Sequence, residues 1–308
     1  MERNEIDIKE IIKLLIEKKR NIFIITFTVT LLAIVYALIQ PNVYTSKAIL
    51  APTNSEDSIS SQLGGLSGFS GIAGISFPGA EATPAQEALE RMQSFNFFSN
   101  HFLPNINLED LMAVEGWLPE ENILIYDEEI FISDKKKWIR DVSFPRKPKP
   151  SDQESYEKFL DYLKIVEDRT TTFVELSITH KSPYISKEWL DVVIAKINSS
   201  SRDIDIKAAS DAIDFLTDYY QSTNVNSLQD VSSRLLENQM QKLMLASATD
   251  DYVFKVLEYP IVSEEPSGPD RIQTVLLGFI LGLILSFSIV VYRNIKTLIN
   301  LSSHKKNL

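Results

Sequence analysis

The segment that decides the fold is Ser182–Tyr220, which reads SPYISKEWLDVVIAKINSSSRDIDIKAASDAIDFLTDYY. Serine followed by proline favours a helix start, with Ser182 as the cap and Pro183 in the first turn. The 76 residues from Tyr184 to Tyr259 contain neither glycine nor proline, the residues that most often end a helix. Apolar side chains recur at helical spacing through this segment, so we predict one long helix.

A second helix follows, and the two form a predicted hairpin over about residues 183–248. The polar run Gln221–Ser227 separates them. Both apolar stripes are thin, and two such helices bury too little surface to be stable alone, so we expect neighbouring copies to cover them in a homo-oligomer. The residues that we assign to this oligomer face are Trp189, Ile197, Ile204, Phe215, Leu216 and Tyr219.

Two uncharged apolar stretches flank the central region and predict two transmembrane helices, at residues 22–39 and 272–292. The first rises about 27 Å as a helix, enough for the hydrocarbon core of a bilayer. No cleavage site of small residues follows it, which favours an uncleaved anchor over a signal peptide. Neither stretch contains Asp, Glu, Lys, Arg or His, so we do not expect an ion or proton pathway.

Flanking cations predict the orientation. Lys18, Lys19 and Arg20 precede the first span, and Arg293 and Lys296 follow the second. Cytoplasmic flanks carry an excess of Lys and Arg, so we place both termini in the cytoplasm of a bacterial inner membrane. Residues 1–21 are then a cytoplasmic amphipathic N-terminus, residues 40–271 a periplasmic domain and residues 293–308 a cytoplasmic tail. The N-terminus either lies along the inner leaflet or simply begins the first helix.

Small residues share one face of the second span. Gly278, Gly282 and Ser286 follow one another at intervals of four residues. Because such a stripe lets a neighbouring helix approach closely, we predict helix packing in the membrane along this face.

The central domain is predicted to be an α+β base from which the helical hairpin projects. Its glycine-rich segment 60–77 is interpreted as an apolar loop that packs on another subunit or on the bilayer, and Arg146–Pro150 as a stiff cationic linker. The predicted strands are Tyr44–Ala51, Phe173–His180, Tyr252–Tyr259 and two short ones within Ile123–Ile132; the predicted helices are Glu87–Phe98 and Tyr156–Val166.

Composition excludes several function classes. The 308 residues carry 42 acidic and 31 basic side chains, and residues 41–271 alone have a net charge of −16, which argues against a nucleic-acid partner. The absence of cysteine excludes disulfides, cysteine-ligated zinc and thiol catalysis. The three histidines (His101, His180 and His304) are far apart in sequence, and the acidic pairs Glu128/Glu129, Asp250/Asp251 and Glu264/Glu265 are typical of solvated surface. We therefore predict no catalytic, metal or cofactor site.

Six segments, in this order along the chain, carry a resemblance to a known family: IDIKEIIKLLIEKKRNI (Ile6–Ile22), PNVYTSKAIL (Pro41–Leu50), LGGLSGFSGIAG (Leu63–Gly74), HKSPYISKEWLDVVIAKIN (His180–Asn198), IDIKAASDAIDFLTDYY (Ile204–Tyr220) and QMQKLMLASATDDYVFKVLEYP (Gln239–Pro260). A proline-rich approach to the second span follows, with Pro260, Pro266, Pro269 and Arg271. Together these residues resemble the Wzz-type polysaccharide chain-length determinants, also called polysaccharide co-polymerases, although Gly268 alters the proline spacing of that family.

The resemblance implies a non-enzymatic oligomer of the inner membrane that acts with a separate polymerase on a growing lipid-linked glycan. Such proteins set the chain length of O-antigen in lipopolysaccharide or of a related surface polymer. Two alternatives stay open from the sequence. One is a capsule or exopolysaccharide export co-polymerase that works with a separate tyrosine kinase, and the other is a periplasmic glycan-cleaving enzyme that would use one of the acidic pairs.

Overall fold

The computed structural model describes residues 16–53, 83–222 and 226–305. The predicted amphipathic helix before residue 16 and the glycine-rich segment 60–77 lie outside the described residues. The chain divides into two compact units. One contains the helices near the two termini, up to Asn42 and from Pro266 onward, and the other is Val43–Glu265.

The described elements are eight α-helices and eight β-strands within those ranges. The helices are α1 Lys19–Ile39, α2 Pro84–Met92, α3 Phe95–Phe97, α4 Leu108–Met112, α5 Asp152–Tyr162, α6 Pro183–Ser222, α7 Asn226–Ala248 and α8 Arg271–Lys305. The strands are β1 Tyr44–Pro52, β2 Val114–Leu118, β3 Ile123–Tyr126, β4 Phe131–Ile132, β5 Lys137–Trp138, β6 Leu163–Glu167, β7 Val174–His180 and β8 Phe254–Glu258.

The terminal unit is a pair of packed apolar helices. All of α1 and the part of α8 from Arg271 to Arg293 are long and apolar enough to cross a membrane. Both predicted spans lie within these helices.

A four-stranded antiparallel sheet forms the centre of the other unit, in the order β6-β7-β1-β8. Tyr44 of β1 pairs with His180 of β7, and Leu163 of β6 pairs with Ile178 of β7. Two separate two-stranded ribbons, β2-β3 and β4-β5, complete the strands. All the pairings are antiparallel, as expected for an α+β domain rather than a parallel α/β fold.

The core lies between one face of this sheet and the first half of α6. Leu50 and Leu176 from the sheet are fully buried, and Trp189 and Leu190 of α6 cover them. An aromatic cluster extends the core, because Phe102 stands 4.4 Å from Phe159 and 5.9 Å from Trp189 between ring centroids. Burial of such side chains contributes about 1.5–3 kcal/mol each, so this cluster fixes where α6 leaves the base.

Beyond Ser201, few side chains of α6 are buried, and the same holds for the described part of α7. In this part of α6 only Ala209 is buried, and buried positions on the described part of α7 are Ser232 and Ala246. Forty residues of α6 span about 60 Å and 23 residues of α7 about 35 Å. The predicted class, two apolar terminal helices and an α+β domain with a long helical hairpin, is confirmed.

Two local predictions, both of helices, were wrong. The predicted helix Tyr156–Val166 ends at Tyr162, and its last part is strand β6. The predicted helix Glu87–Phe98 is broken after Met92. The two short strands within Ile123–Ile132 exist, but β3 pairs with β2 and β4 pairs with β5, two strands that the sequence analysis did not find.

Candidate interaction sites

The small residues of α8 face α1. A methyl group added at Gly278 would overlap the Cβ atom of Ala33, and one added at Gly282 would lie 3.2 Å from the Cα atom and the carbonyl oxygen of Thr26. One turn further along, the Thr26 hydroxyl donates a hydrogen bond of 3.2 Å to the buried Ser286 hydroxyl. The stripe therefore lies in the contact between the two apolar helices of a single chain.

The residues that begin α8 form a cap. The side chain of Asp270 accepts a hydrogen bond of 3.0 Å from the backbone N–H of Gln273. Arg271 donates one of 2.9 Å to the Asn42 side chain, which follows α1 closely in sequence. A carboxylate at the start of a helix also interacts favourably with the helix dipole. Arg271 thus joins the two terminal helices at one end.

The prolines of the predicted proline-rich segment have different environments. Pro260 is buried within the central unit, Pro266 is exposed and Pro269 is half-buried. The chain after Pro260 is held to the sheet, because the Ser46 hydroxyl donates a hydrogen bond of 2.8 Å to the carbonyl oxygen of Ile261.

The predicted oligomer face divides into two groups. Trp189 and Ile197 are fully buried in the core of the base, so assigning them to an oligomer face was wrong. Helical periodicity had grouped them correctly on one stripe, but the first half of that stripe packs on the chain's own sheet. Ile204, Phe215 and Tyr219 are exposed and Leu216 is half-buried, and their role in an oligomer stays a prediction.

The structure adds exposed apolar residues on α7 that the sequence analysis did not assign. The exposed fraction of Met244 reaches 70%, close to the 68% of Phe215 on α6. Their regular recurrence is visible in the sequence, but their exposure within the described part of the chain is not. The other large apolar side chains exposed on α7 are Leu228, Val231, Leu235, Met240 and Leu245.

Polar contacts tie the two hairpin helices together near the base. Asp205 of α6 accepts a hydrogen bond of 2.7 Å from the Tyr252 hydroxyl, and one carboxylate oxygen lies 3.2 Å from Lys242 Nζ of α7. Arg202 is 3.3 Å from the Asp250 carboxylate. Exposed pairs of this kind contribute little energy, so they fix the register of the hairpin without covering its apolar side chains.

A buried hydrogen-bond network centred on His180 connects the end of β7 to α4 and to the start of α6. The sequence did not predict it. The Nδ1 atom of His180 accepts a hydrogen bond of 3.0 Å from the Ser182 backbone N–H, so the proton is on Nε2, which donates to the Asp110 carbonyl oxygen at 3.1 Å. The Asp110 carboxylate accepts a hydrogen bond of 2.6 Å from the Tyr126 hydroxyl. Burial lowers the pKa of His180 to about 4 and, with the nearby Asp110, raises that of Tyr126.

Candidate catalytic groups are spread over the described surface. His101 contacts the Phe97 ring, far in sequence from the buried His180. Glu128 and Glu129 line an acidic groove of about 530 Å³ together with Glu115 and Asp127. Among the residues that the structure describes, no three His, Asp or Glu side chains are grouped closely enough to hold a metal ion.

The comparisons with known proteins point to one family. Residues 4–102, about a third of the chain, match the family model described as "Chain length determinant protein" (Wzz). No curated protein matches the chain. For these N-terminal residues, the match confirms the resemblance to Wzz-type polysaccharide co-polymerases stated from the sequence.

Two solved structures are similar to the chain at low identity. A full-length bacterial polysaccharide co-polymerase is 14% identical, with a TM-score of 0.38, over 94% of this chain and 98% of that one. A fragment of WzzB, a polysaccharide co-polymerase from Salmonella Typhimurium, is 12% identical, with a TM-score of 0.33, over 74% of this chain and all of that one.

Proposed function

We propose that this chain, whose N-terminal third matches the Wzz chain length determinants, is a non-enzymatic regulator of surface-polysaccharide length. It acts as a homo-oligomer in the bacterial inner membrane, with both termini in the cytoplasm and Val43–Glu265 in the periplasm. Its partner is a separate polymerase in the same membrane, and its polymer is the O-antigen of lipopolysaccharide. The family match supports chain-length control in general, and the proposal extends it to this oligomer and this polymer.

The observation that carries the proposal is the surface of the hairpin. Phe215 on α6 and Met244 on α7 are more than two-thirds exposed, and further large apolar side chains are exposed along both helices. Soluble surfaces expose large contiguous apolar patches mainly where another molecule binds. Within the described residues these side chains stay exposed, so further copies of the chain are the natural partner.

An oligomer of this kind would act as a binding surface and would not catalyse a reaction. Hairpins standing side by side would form a continuous helical wall, with each α6 and α7 covered by neighbours. The growing glycan, or the polymerase that extends it, would contact this wall. Polymer length then depends on how long the polymerase and its product stay engaged, and no bond is made or broken by the chain itself.

Deleting the gene and separating the surface polysaccharide on a gel tests this proposal. We expect O-antigen still to be made, with its preferred length replaced by a broad distribution, and the plasmid-borne gene to restore the preferred length. Complete loss of polymer would contradict a regulatory role and favour an enzyme. Unchanged O-antigen with altered capsule or exopolysaccharide would instead favour the export co-polymerase.

A further inference from the structure

The loop Arg140–Pro148 presents an aromatic side chain to solvent. Phe144 has an exposed fraction of 96%, the highest among the large apolar residues that the structure describes. It lies in a turn in which the Arg146 N–H donates a hydrogen bond of 3.1 Å to the Ser143 carbonyl oxygen. Moving this ring from water into an apolar environment would bury a large apolar area, which is favourable.

The base of the loop is closed, so its tip is held in place. Arg140 Nε donates a hydrogen bond of 2.9 Å to the Pro148 carbonyl oxygen, and its Nη2 donates to that of Lys147 at 3.0 Å. The same Nη2 lies 3.0 Å from the Glu154 carboxylate, which also pairs with Arg146 at 3.3 Å. The guanidinium therefore bridges the two ends of the loop and fixes them to α5.

The loop and the residues that flank it on both sides are strongly cationic in an acidic domain. Residues 135–149 contain seven basic side chains and one acid, a net charge of +6, whereas residues 41–271 as a whole carry −16. Five of these cations have no ion-pair partner among the described residues, so their charge is available to an anionic surface. They are the exposed Lys135, Lys136, Lys137, Lys147 and Lys149.

Only a short stretch of chain separates the first apolar helix from the first strand of the central unit. Tyr44 follows the last residue of α1 by five residues, and five residues reach about 18 Å at most. The Tyr44 ring makes an edge contact with Trp117 of β2, at 5.3 Å between centroids. The ribbon β2-β3 therefore packs against the first residue of β1, the strand that follows the first apolar helix in sequence.

The root of the loop is attached to the same ribbon. Tyr126, the last residue of β3, contacts Phe131 of β4 at 5.6 Å between centroids, and Phe131 contacts Trp138 of β5 at 4.8 Å. The loop begins two residues after Trp138. These two aromatic contacts join the start of the loop to the ribbon β2-β3.

We propose that the loop Arg140–Pro148 docks on the bilayer, with Phe144 inserted among the headgroups and the five unpaired lysines bound to anionic phospholipid. An aromatic ring next to several cations is the combination that binds an anionic interface, through apolar burial and charge attraction together. The docked loop is a third point of attachment for the domain, besides the two chain crossings. This role is independent of the proposed function in polysaccharide synthesis.

Because the chain lacks cysteine, a single spin label can be placed at the tip by Phe144→Cys in the full-length protein. The protein is reconstituted in lipid discs of phosphatidylcholine, alone or mixed with phosphatidylglycerol. Collision rates of the label with oxygen, which enters lipid, and with a water-soluble nickel chelate are then compared. We expect the oxygen-to-nickel ratio to rise several-fold in the discs that contain phosphatidylglycerol.

Two further variants separate charge from fold. In the labelled protein, Lys147→Gln with Lys149→Gln should remove most of the rise, whereas Lys164→Gln with Lys255→Gln, exposed lysines on the edge strands β6 and β8, should leave it unchanged. A label equally open to nickel in both lipids would overturn the proposal. So would protection from nickel that depends on protein concentration but not on lipid charge, because that would place the loop against a neighbouring copy.

Discussion

At the scale of single residues, His180 connects three elements of the base through one ring. It ends β7, binds the backbone of α4 through Asp110 and binds the N–H of Ser182, where α6 begins. Its ring also packs 4.9 Å from Trp189 between centroids. Both nitrogens are satisfied only in the neutral form that carries the proton on Nε2, so a second proton would break the hydrogen bond to Ser182.

The domain should therefore lose stability as the pH falls below neutrality. The pKa of His180 is about 4 in the folded protein and about 6.5 in the unfolded chain, so the unfolded state binds the proton first. The contribution of the neutral ring is complete above pH 6.5 and is lost progressively toward pH 4, up to roughly 3 kcal/mol. Unfolding of the protein in detergent by urea, followed by tryptophan fluorescence at several pH values, measures this slope.

A matched variant isolates the histidine. His180→Gln keeps a donor and an acceptor but cannot be protonated, so its unfolding free energy should change much less between pH 6.5 and pH 5. The carboxyls of Glu154 and Asp168, whose pKa values are lowered, begin to lose their contribution only below about pH 4.5. An equal slope in His180→Gln and in the original protein would show that another group causes it.

Gly278 permits the close approach of α8 to α1, where it faces the Cβ atom of Ala33. Because an added methyl group would overlap the Cβ atom of Ala33, Gly278→Leu should separate the helices and Gly278→Ala should strain them, at a cost of about 1–3 kcal/mol. Thr26→Cys with Ser286→Cys, placed where the two hydroxyls are 3.2 Å apart, reports the contact as an oxidised crosslink. We expect the crosslinked fraction to fall several-fold in Gly278→Leu.

Compensation provides the control for this contact. Ala33→Gly removes the atom that would be overlapped, so combining it with Gly278→Ala should restore the crosslink that Gly278→Ala alone weakens. If Gly278→Leu crosslinks as well as the original sequence, the helices do not depend on this close approach.

At the scale of elements, the two halves of α6 have different environments. The first half of α6 belongs to the core, as the fully buried Trp189 and Leu190 show, whereas the second half exposes Phe215 and Tyr219, whose rings stack at 6.3 Å. One continuous helix therefore extends from the core of the base into the exposed part of the hairpin. Substitutions in the two halves should consequently have separable effects.

Phe215→Gln and, separately, Met244→Gln should weaken the oligomer while leaving the fold of the protomer intact. Both side chains are mostly exposed in the single chain, so the unfolding free energy should change by less than about 0.5 kcal/mol. Leu190→Ala, in the core, should instead lower it by about 2–5 kcal/mol. Particle mass in lipid discs and the length distribution of the polysaccharide are the readouts.

These two measurements must change together for the proposal to stand. If Phe215→Gln and Met244→Gln leave both the particle mass and the polymer ladder unchanged, the exposed apolar surface of the hairpin serves neither assembly nor length control. A shorter or broader ladder with an unchanged particle mass would assign the surface to the polymerase or the glycan instead of a neighbouring copy.

The elements differ in how well the sequence predicts them. The membrane helices and the hairpin were predictable because long apolar runs and 76 residues without glycine or proline are properties of the chain itself. Strand β6 was not, since Tyr156, Phe159 and Leu163 fit helical spacing and no breaker separates them. Leu163 instead pairs with Ile178 of β7, and helical spacing, which compares residues three or four positions apart, does not detect that contact.

The candidate sites show the same limit. Periodicity placed Trp189 and Phe215 on one helical stripe but could not tell a stripe covered by the chain's own sheet from one left exposed. Spacing in α8 identified Gly278 and Gly282, although not the partner helix. The role of His180 depends on the backbone of Asp110, 70 residues away, and its only signal was a histidine next to the helix start at Ser182.

At the scale of the whole molecule, the negative charge of the central domain opposes the proposed homo-oligomer, whereas the exposed apolar side chains of the hairpin favour it. Residues 41–271 carry a net charge of −16. Five of the lysines that have no ion pair among the described residues lie within residues 135–149. Several other cations are already paired within the chain, as in Lys47–Glu175 at 2.9 Å and Lys187–Asp191 at 2.6 Å. The electrostatic interaction between copies brought side by side is therefore repulsive overall.

The oligomer should consequently become more stable as ionic strength rises. The screening length falls from about 30 Å at 0.01 M salt to about 8 Å at 0.15 M, which weakens repulsion between domains while apolar contacts between hairpins persist. The measurement is the particle mass of the full-length protein in detergent across this range, with Phe215→Gln as the comparison for apolar contacts. Dissociation on adding salt would reverse the argument, because it would mean that acids of one copy meet cations of the next and that attraction across the interface outweighs the net charge.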